Sequence, residues 1–295
     1  MCLIAFAINA SRRFPLVIAS NRDESFDRPT LPFQEWSSPA GKQIFSGRDM
    51  RGGGTWLGMT PRGRIAFLTN VREASSFGVP VAARSRGELV LQWLEGDMTV
   101  EDFMSGNDPQ AYGGFNLIVA DWKDQSWTWL GNRPVATLGK AFRGEGRTGT
   151  GWCYRQLEPG IYGLSNAALD TRWPKTIALK DALKLALETE TTSTSAEEFS
   201  QTLGAALLSR DEADQKSLPT TGVPLEIEKA LSSAFIYAPQ RRYGTRSSTV
   251  VIAKRDYARP NAKNLRLSVT EQTFHMGDSV DTQGDFKNLD FNWPL

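Results

Sequence analysis

The chain has a single histidine, His275, among 295 residues. A Ser-His-Asp triad would have to run through it, and a zinc site would have to combine it with two cysteines and carboxylates, so both mechanisms are disfavoured. Cysteine is nearly as scarce: Cys2 and Cys153 are no disulfide framework and suit a reducing compartment. An excess of one charge is missing too. With 34 Lys+Arg against 33 Asp+Glu the formal net charge is +1, which offers no electrostatic footprint to nucleic acid and no basic block to a membrane surface. No apolar run approaches a membrane span, and the run at 2–8 is short, with no basic region ahead of it, so it is a poor signal peptide. The expectation is a cytoplasmic protein acting on or carrying a small molecule, its oligomeric state open.

What is present is dominated by short apolar runs. Residues 2–8 and 15–19, joined by the polar segment 9–13, read as a buried β-hairpin. A second hairpin is predicted over 54–60 and 64–69, with Pro61, Arg62 and Gly63 at the turn. Further strands are predicted at 115–121, 126–130, 161–165, 234–238, 247–254 and 264–270. One helix is expected near Ser85, with Glu88 at the capping-box offset. Another opens at Pro174 and carries Leu179, Ala182, Leu183 and Ala186 on one face. The third starts near Ser195, with Glu198 at the capping offset, and buries Phe199, Leu203 and Leu207. Segments 189–197 and 210–222 read as loops. The tail, about 276–295, is polar and ends in Phe286, Phe291 and Trp293, expected to dock on the body. There is no internal repeat. Strands surrounding helices from end to end predict one α+β domain over 1–295, two mainly antiparallel sheets covered by helices.

Cys2 has a particular chemical consequence. Aminopeptidases commonly remove an initiator Met that precedes a small residue, and the new terminus would then be Cys2. Its α-amine, with an ordinary pKa of about 7.7–8.0, and its thiol, near about 8.5, place base and nucleophile on one residue. No histidine is needed. The plainer alternative is a small apolar residue at the start of a strand.

The Met1-Cys2 start, together with Asn21-Arg22-Asp23-Glu24, Gly54-Thr55-Trp56-Leu57-Gly58, Thr69-Asn70, Arg86-Gly87-Glu88-Leu89, Gly114-Phe115-Asn116-Leu117, Tyr162-Gly163-Leu164-Ser165-Asn166 and Tyr243-Gly244-Thr245-Arg246, resembles the NRDE family, also called the transport and Golgi organisation 2 family. The blocks run in order from residue 1 to about 255. The resemblance implies a four-layer αββα sandwich of N-terminal-nucleophile hydrolase type. More distantly, the layout is similar to the choloylglycine hydrolase and penicillin V acylase group. That likeness implies Cys2 as nucleophile, Asp23 beside its amine and thiol, Asn70 and Asn166 near the oxyanion, and Arg246 close to the sulfur. Where the hydrolase group carries Arg-x-x-Asp, counting back from Asp23 reaches Ser20. The arginine here is Arg22, which on strand alternation faces opposite to Asn21 and Asp23.

Each of these residues has a structural alternative. Asn21 to Glu24 have the lesser alternative of a strand-ending turn with a surface ion pair, Asn70 and Asn166 the alternative of caps or turns, and Arg246 that of a solvent-facing charge opening a strand. Gly52-Gly53-Gly54 and Gly113-Gly114 lack phosphate-loop spacing and read as turns. His275 reads as structural and Cys153 as a buried spectator. Asn21, Arg22 and Trp56 are candidates to contact ligand, Trp56 by lining an apolar pocket. Two functions follow. One is Cys2-dependent hydrolysis of an amide or thioester in a small molecule with an apolar acyl part, requiring no cofactor and no metal. The other is a non-catalytic carrier of haem or acyl lipid, since family members resemble proteins implicated in haem trafficking and in lipid and coenzyme A homeostasis. A His-ligated haem would depend on His275 alone.

Overall fold

A computed structural model describes residues 2–72, 84–133, 145–255, 264–275 and 284–294. Met1 and residues 276–283 of the tail lie outside the described residues. Strands β1 (Cys2–Ile8), β2 (Leu16–Ser25), β3 (Thr30–Ser37), β4 (Gln43–Asp49), β5 (Leu57–Met59) and β6 (Arg64–Asn70) come first. Helices α1 (Gly87–Glu95) and α2 (Val100–Ser105) precede β7 (Phe115–Asp121), β8 (Ser126–Gly131), β9 (Glu145–Arg147), β10 (Cys153–Gln156) and β11 (Gly160–Leu164). Then follow α3 (Pro174–Glu188), α4 (Ala196–Leu207), α5 (Leu225–Ala230), β12 (Tyr237–Ala238), β13 (Tyr243–Lys254), β14 (Asn264–Thr273) and β15 (Asp285–Pro294).

The architecture is α+β, as expected, and divides into two compact units. The first comprises Met1–Arg28, Pro159–Ser165 and Leu169–Trp293. Among the described residues its sheet runs β11-β1-β2-β13-β14-β15, with β12 beside β13. One face carries Leu3, Ala5, Ala7, Val17, Ala19, Val250 and Ile252, packed on Leu179 and Leu183 of α3 and Phe199, Leu203 and Leu207 of α4. Burying each such Leu or Phe contributes roughly 1.5–3 kcal/mol, which outweighs the few tenths at stake in helix propensity. α4 forms where predicted: the Ser195 hydroxyl accepts from Glu198 N–H while the Glu198 carboxylate accepts from Ser195 N–H. α3 has Pro174 in its first turn, where the missing N–H is no loss.

The second unit comprises Pro29–Glu158, Asn166–Ala168 and Pro294–Leu295, with sheet order β3-β4-β5-β6-β7-β8-β10-β9 among the described residues. Leu89, Val90, Trp93 and Leu94 of α1 and Phe103 of α2 pack on Ala66, Leu68, Leu117, Val119 and Leu130. α1 docks closely because Gly54 and Gly87 have no side chains: a Cβ on Gly54 would fall 2.4 Å from the Gly87 carbonyl carbon.

Several expectations are corrected. β2 does not end at residue 19 but continues to Ser25, so the Asn21-Arg22-Asp23-Glu24 block lies inside a strand. Asn21, Arg22 and Asp23 are buried, which rules out the surface-turn alternative. α1 starts at Gly87 with no side-chain cap, although Glu88 Oε1 still accepts from Ser85 N–H. Of the segment 234–238 only Tyr237–Ala238 is strand, because the N–H groups of Phe235 and Ile236 are spent on Ser209 O and the Thr245 hydroxyl. β13 opens at Tyr243, so Arg246 lies within it and does not begin it. The end of the tail is a strand, β15, in which Trp293 is buried and Phe286 is exposed.

Candidate active site

Antiparallel pairing sets Cys2 directly opposite Arg22, and Leu3 opposite Asn21. Opposed residues project to the same side of a sheet and neighbours to opposite sides. Leu3 faces the helices, so Cys2 and Arg22 share the other face, continued by Ile4, Phe6 and Ile18; all five are buried. Glu24 belongs to the same alternation, its Oε2 lying 3.9 Å from both Arg22 Nη2 and Arg28 Nε. Ser247 pairs with Arg22 from β13, and its buried hydroxyl has no hydrogen-bond partner among the described residues.

Asn21 and Asp23 serve the opposite face. Asn21 Nδ2 donates to Leu207 O at 2.8 Å and Ala234 O at 2.9 Å, and its Oδ1 accepts from Ser248 Oγ at 2.6 Å. Leu207 ends α4, so this amide satisfies a helix-terminal carbonyl. Asp23 Oδ1 accepts from Thr245 Oγ1 at 2.8 Å, and the Asp23 carbonyl accepts from the Tyr243 phenol at 2.8 Å. Because Cys2 begins β1 opposite Arg22, Asp23 stands one pairing position beyond the strand's start.

Between Thr245 and Ser247 the β13–β2 register shifts: Thr245 pairs with Asp23 and Ser247 with Arg22, leaving Arg246 as the extra residue of a bulge. Its Nη1 donates to the carbonyls of Ser25 and Phe26 at 2.8 and 2.9 Å, and its own carbonyl accepts from Phe274 N–H.

Burial is the main cause raising the Cys2 thiol pKa; the Asp23 and Glu24 carboxylates push it the same way, and the positive chain terminus and then the Arg22 guanidinium oppose them. For Glu24, burial also pushes upward but is outweighed by the positive chain terminus first, then by Ser25 N–H, Arg22 and Arg28, and the carboxyl pKa is lowered. The Tyr243 phenol is held well above its ordinary value by burial and by the negative charge of Asp23 and Glu24, so it stays a neutral donor. The Arg246 pKa is lowered by burial first and then by the positive charge of Arg22.

The remaining candidates lie in the second unit. Asn70 ends β6 and its carbonyl accepts from Asn166 Nδ2 at 2.9 Å; the Asn166 carbonyl in turn accepts from Arg72 N–H. Trp56 is buried with its ring over Gly47 of β4. A residue the sequence reasoning did not single out organises this region: Asn116 donates to Thr69 Oγ1 and Ala167 O and accepts from Trp129 Nε1, which ties segment 166–168 to β6, β7 and β8. Tyr243 and Thr245 were missed likewise, although alternation within the Tyr243-Gly244-Thr245-Arg246 block places both on one side. His275 is exposed, its Nε2 at 2.9 Å from Asp285 Oδ2. Cys153 is buried and its thiol donates to the Arg133 carbonyl.

The model of one family, described as Transport and Golgi organisation 2, matches residues 1–275. The chain belongs to the Transport and Golgi organisation 2 family. Within that family it is 33% identical over 274 residues to the Transport and Golgi organization protein 2 homolog of Bos taurus, covering 87% of this chain and 90% of that protein. The homolog of Homo sapiens is 32% identical over 277 residues, with the same coverage of 87% and 90%. Among solved structures, a Caenorhabditis elegans N-acylethanolamine-hydrolyzing acid amidase ortholog is similar at 12% identity and a TM-score of 0.42, covering 84% of this chain and 92% of that one. In this Transport and Golgi organisation 2 chain the family match stops at His275, so β15 lies outside it.

Proposed function

We propose that the protein is a Cys2-dependent hydrolase of an amide, or of a thioester, in a small molecule with an apolar acyl part. The pairing of β1 on β2 is the observation that supports this reading: Cys2 stands opposite Arg22 on a buried face, and Asp23 follows Arg22, one position past the first residue of β1. A thiol whose pKa is raised by burial stays protonated near neutrality and needs a base close by. Processing of Met1 supplies one, the α-amine of Cys2 itself. In the proposed reaction that amine takes the thiol proton and the sulfur attacks the carbonyl carbon. The ammonium then protonates the leaving nitrogen as the C–N bond breaks, and water, deprotonated by the amine, cleaves the resulting thioester and returns the proton to sulfur. Ile4, Phe6 and Ile18, on the face shared with Cys2, support an apolar acyl group.

The test is an intact-mass measurement followed by turnover of a fluorogenic medium-chain N-acyl aminocoumarin. Loss of Met1, with hydrolysis that disappears in Cys2→Ala, supports the reading; retained Met1, or turnover unchanged in Cys2→Ala, overturns it. The same apolar row favours a second reading, an acyl-lipid carrier without turnover, for which saturable binding of a fluorescent fatty acyl probe without hydrolysis is the expected result. A haem role through His275 has less support, because that ring is exposed and already engages Asp285.

A further inference from the structure

Thr245 is fully buried, and its hydroxyl has two partners. It accepts the Ile236 N–H at 2.9 Å and donates to Asp23 Oδ1 at 2.8 Å. A hydroxyl has one proton to give, and an incoming N–H cannot receive it. The direction of the chain is therefore set: amide to hydroxyl to carboxylate.

The bulge decides that a hydroxyl occupies this place. Counting back from Ser248 opposite Asn21 and Ser247 opposite Arg22, an unbroken ladder would set Arg246 opposite Asp23 and Thr245 opposite Glu24. A guanidinium against Asp23 would neutralise it. The extra residue instead sends Arg246 to the carbonyls of Ser25 and Phe26 and brings a neutral donor to the carboxylate. Asp23 thus takes a hydroxyl donor from β13 where an unbroken ladder would bring a guanidinium, one pairing position from Cys2.

We propose that Thr245 is a positioning residue for Asp23, holding its carboxyl group where it acts on Cys2. The proposal deepens the hydrolase reading and rests on it for its role in turnover.

The test is the pH profile of Cys2 alkylation by iodoacetamide in the full chain, read by peptide mass spectrometry so that Cys153 is scored separately. Asp23→Asn removes the negative charge and is expected to move the Cys2 midpoint to lower pH by roughly 1 unit. Thr245→Val is expected to move it the same way, Thr245→Ser to leave it in place, and Thr245→Val with Asp23→Asn to match Asp23→Asn alone. Thr245→Ala serves if the valine variant does not fold. A Thr245→Val or Thr245→Ala profile that overlays the parent, or that shifts equally in the Asp23→Asn background, overturns the proposal. Ligation of 2-cyanobenzothiazole, which requires a free N-terminal cysteine, is read in parallel. Failed ligation with the alkylation pattern intact removes the hydrolase reading and leaves the Thr245–Asp23 coupling standing.

Discussion

Cys2 and Arg22 face each other across two antiparallel strands, both buried, on the side of the sheet opposite α3 and α4. The pairing gives the thiol a cationic neighbour that works against burial and against the Asp23 and Glu24 carboxylates. These opposing influences set how readily the sulfur ionises.

The first expected outcome concerns that balance. Alkylation of Cys2 has its midpoint above the ordinary thiol value of about 8.5, because burial dominates. Arg22→Met removes the opposing charge and moves the midpoint higher still. A stopped alkylation series across pH, analysed by mass, checks both; a lower midpoint in Arg22→Met would contradict the placement.

Glu24 links the same cluster to acid stability. Its folded pKa is lowered, so it contributes stability that is present above the unfolded value of about 4.3 and is lost as pH falls through the folded value. In urea unfolding, Glu24→Gln is expected to be less stable than the parent near neutrality, with a shallower loss on acidification below about pH 4. Parallel slopes for the two proteins would remove Glu24 from the account.

Gly54→Ala tests how α1 seats on the second sheet. The new Cβ would meet Gly87 backbone at 2.4 Å, and backbone cannot rotate out of the way. The expected destabilisation is about 1–3 kcal/mol, measured by denaturant or thermal unfolding. An unchanged melting temperature would show that α1 shifts freely.

Asn21→Leu removes one side chain that joins three elements. It leaves the Leu207 and Ala234 carbonyls and the Ser248 hydroxyl without their buried partner. At about 1–3 kcal/mol per orphaned group, the variant is expected to lose at least about 3 kcal/mol, seen in chemical unfolding. Parent-like stability would mean that these groups find other partners.

Much of the fold was legible because local chemistry and burial agree. The runs at 2–8, 115–121 and 126–130 are strands in the structure with nearly those bounds, and Ser195 with Glu198 announces α4. β3 and β4 went unread because Phe33, Ile44 and Phe45 sit among Pro, Gln, Glu and Ser, so neither alternation nor an apolar run stands out. α2 has six residues with Phe103 alone buried, too few for a helical period to show.

The sequence by itself determined the family, through short blocks whose order survives from Met1-Cys2 to Arg246, and it singled out Cys2 through the chemistry of an aminothiol at position 2. It also determined which faces of α3 and α4 are apolar, because helical periodicity is written in adjacent residues. Only the tertiary structure decided that the Asn21-Arg22-Asp23-Glu24 block lies within a strand, that Arg22 stands opposite Cys2, and that a bulge at Arg246 turns Thr245 toward Asp23. Those are matters of register between strands more than 200 residues apart in the case of β2 and β13. A one-residue slip reverses every side chain, and the spacing along either strand alone is the same before and after it.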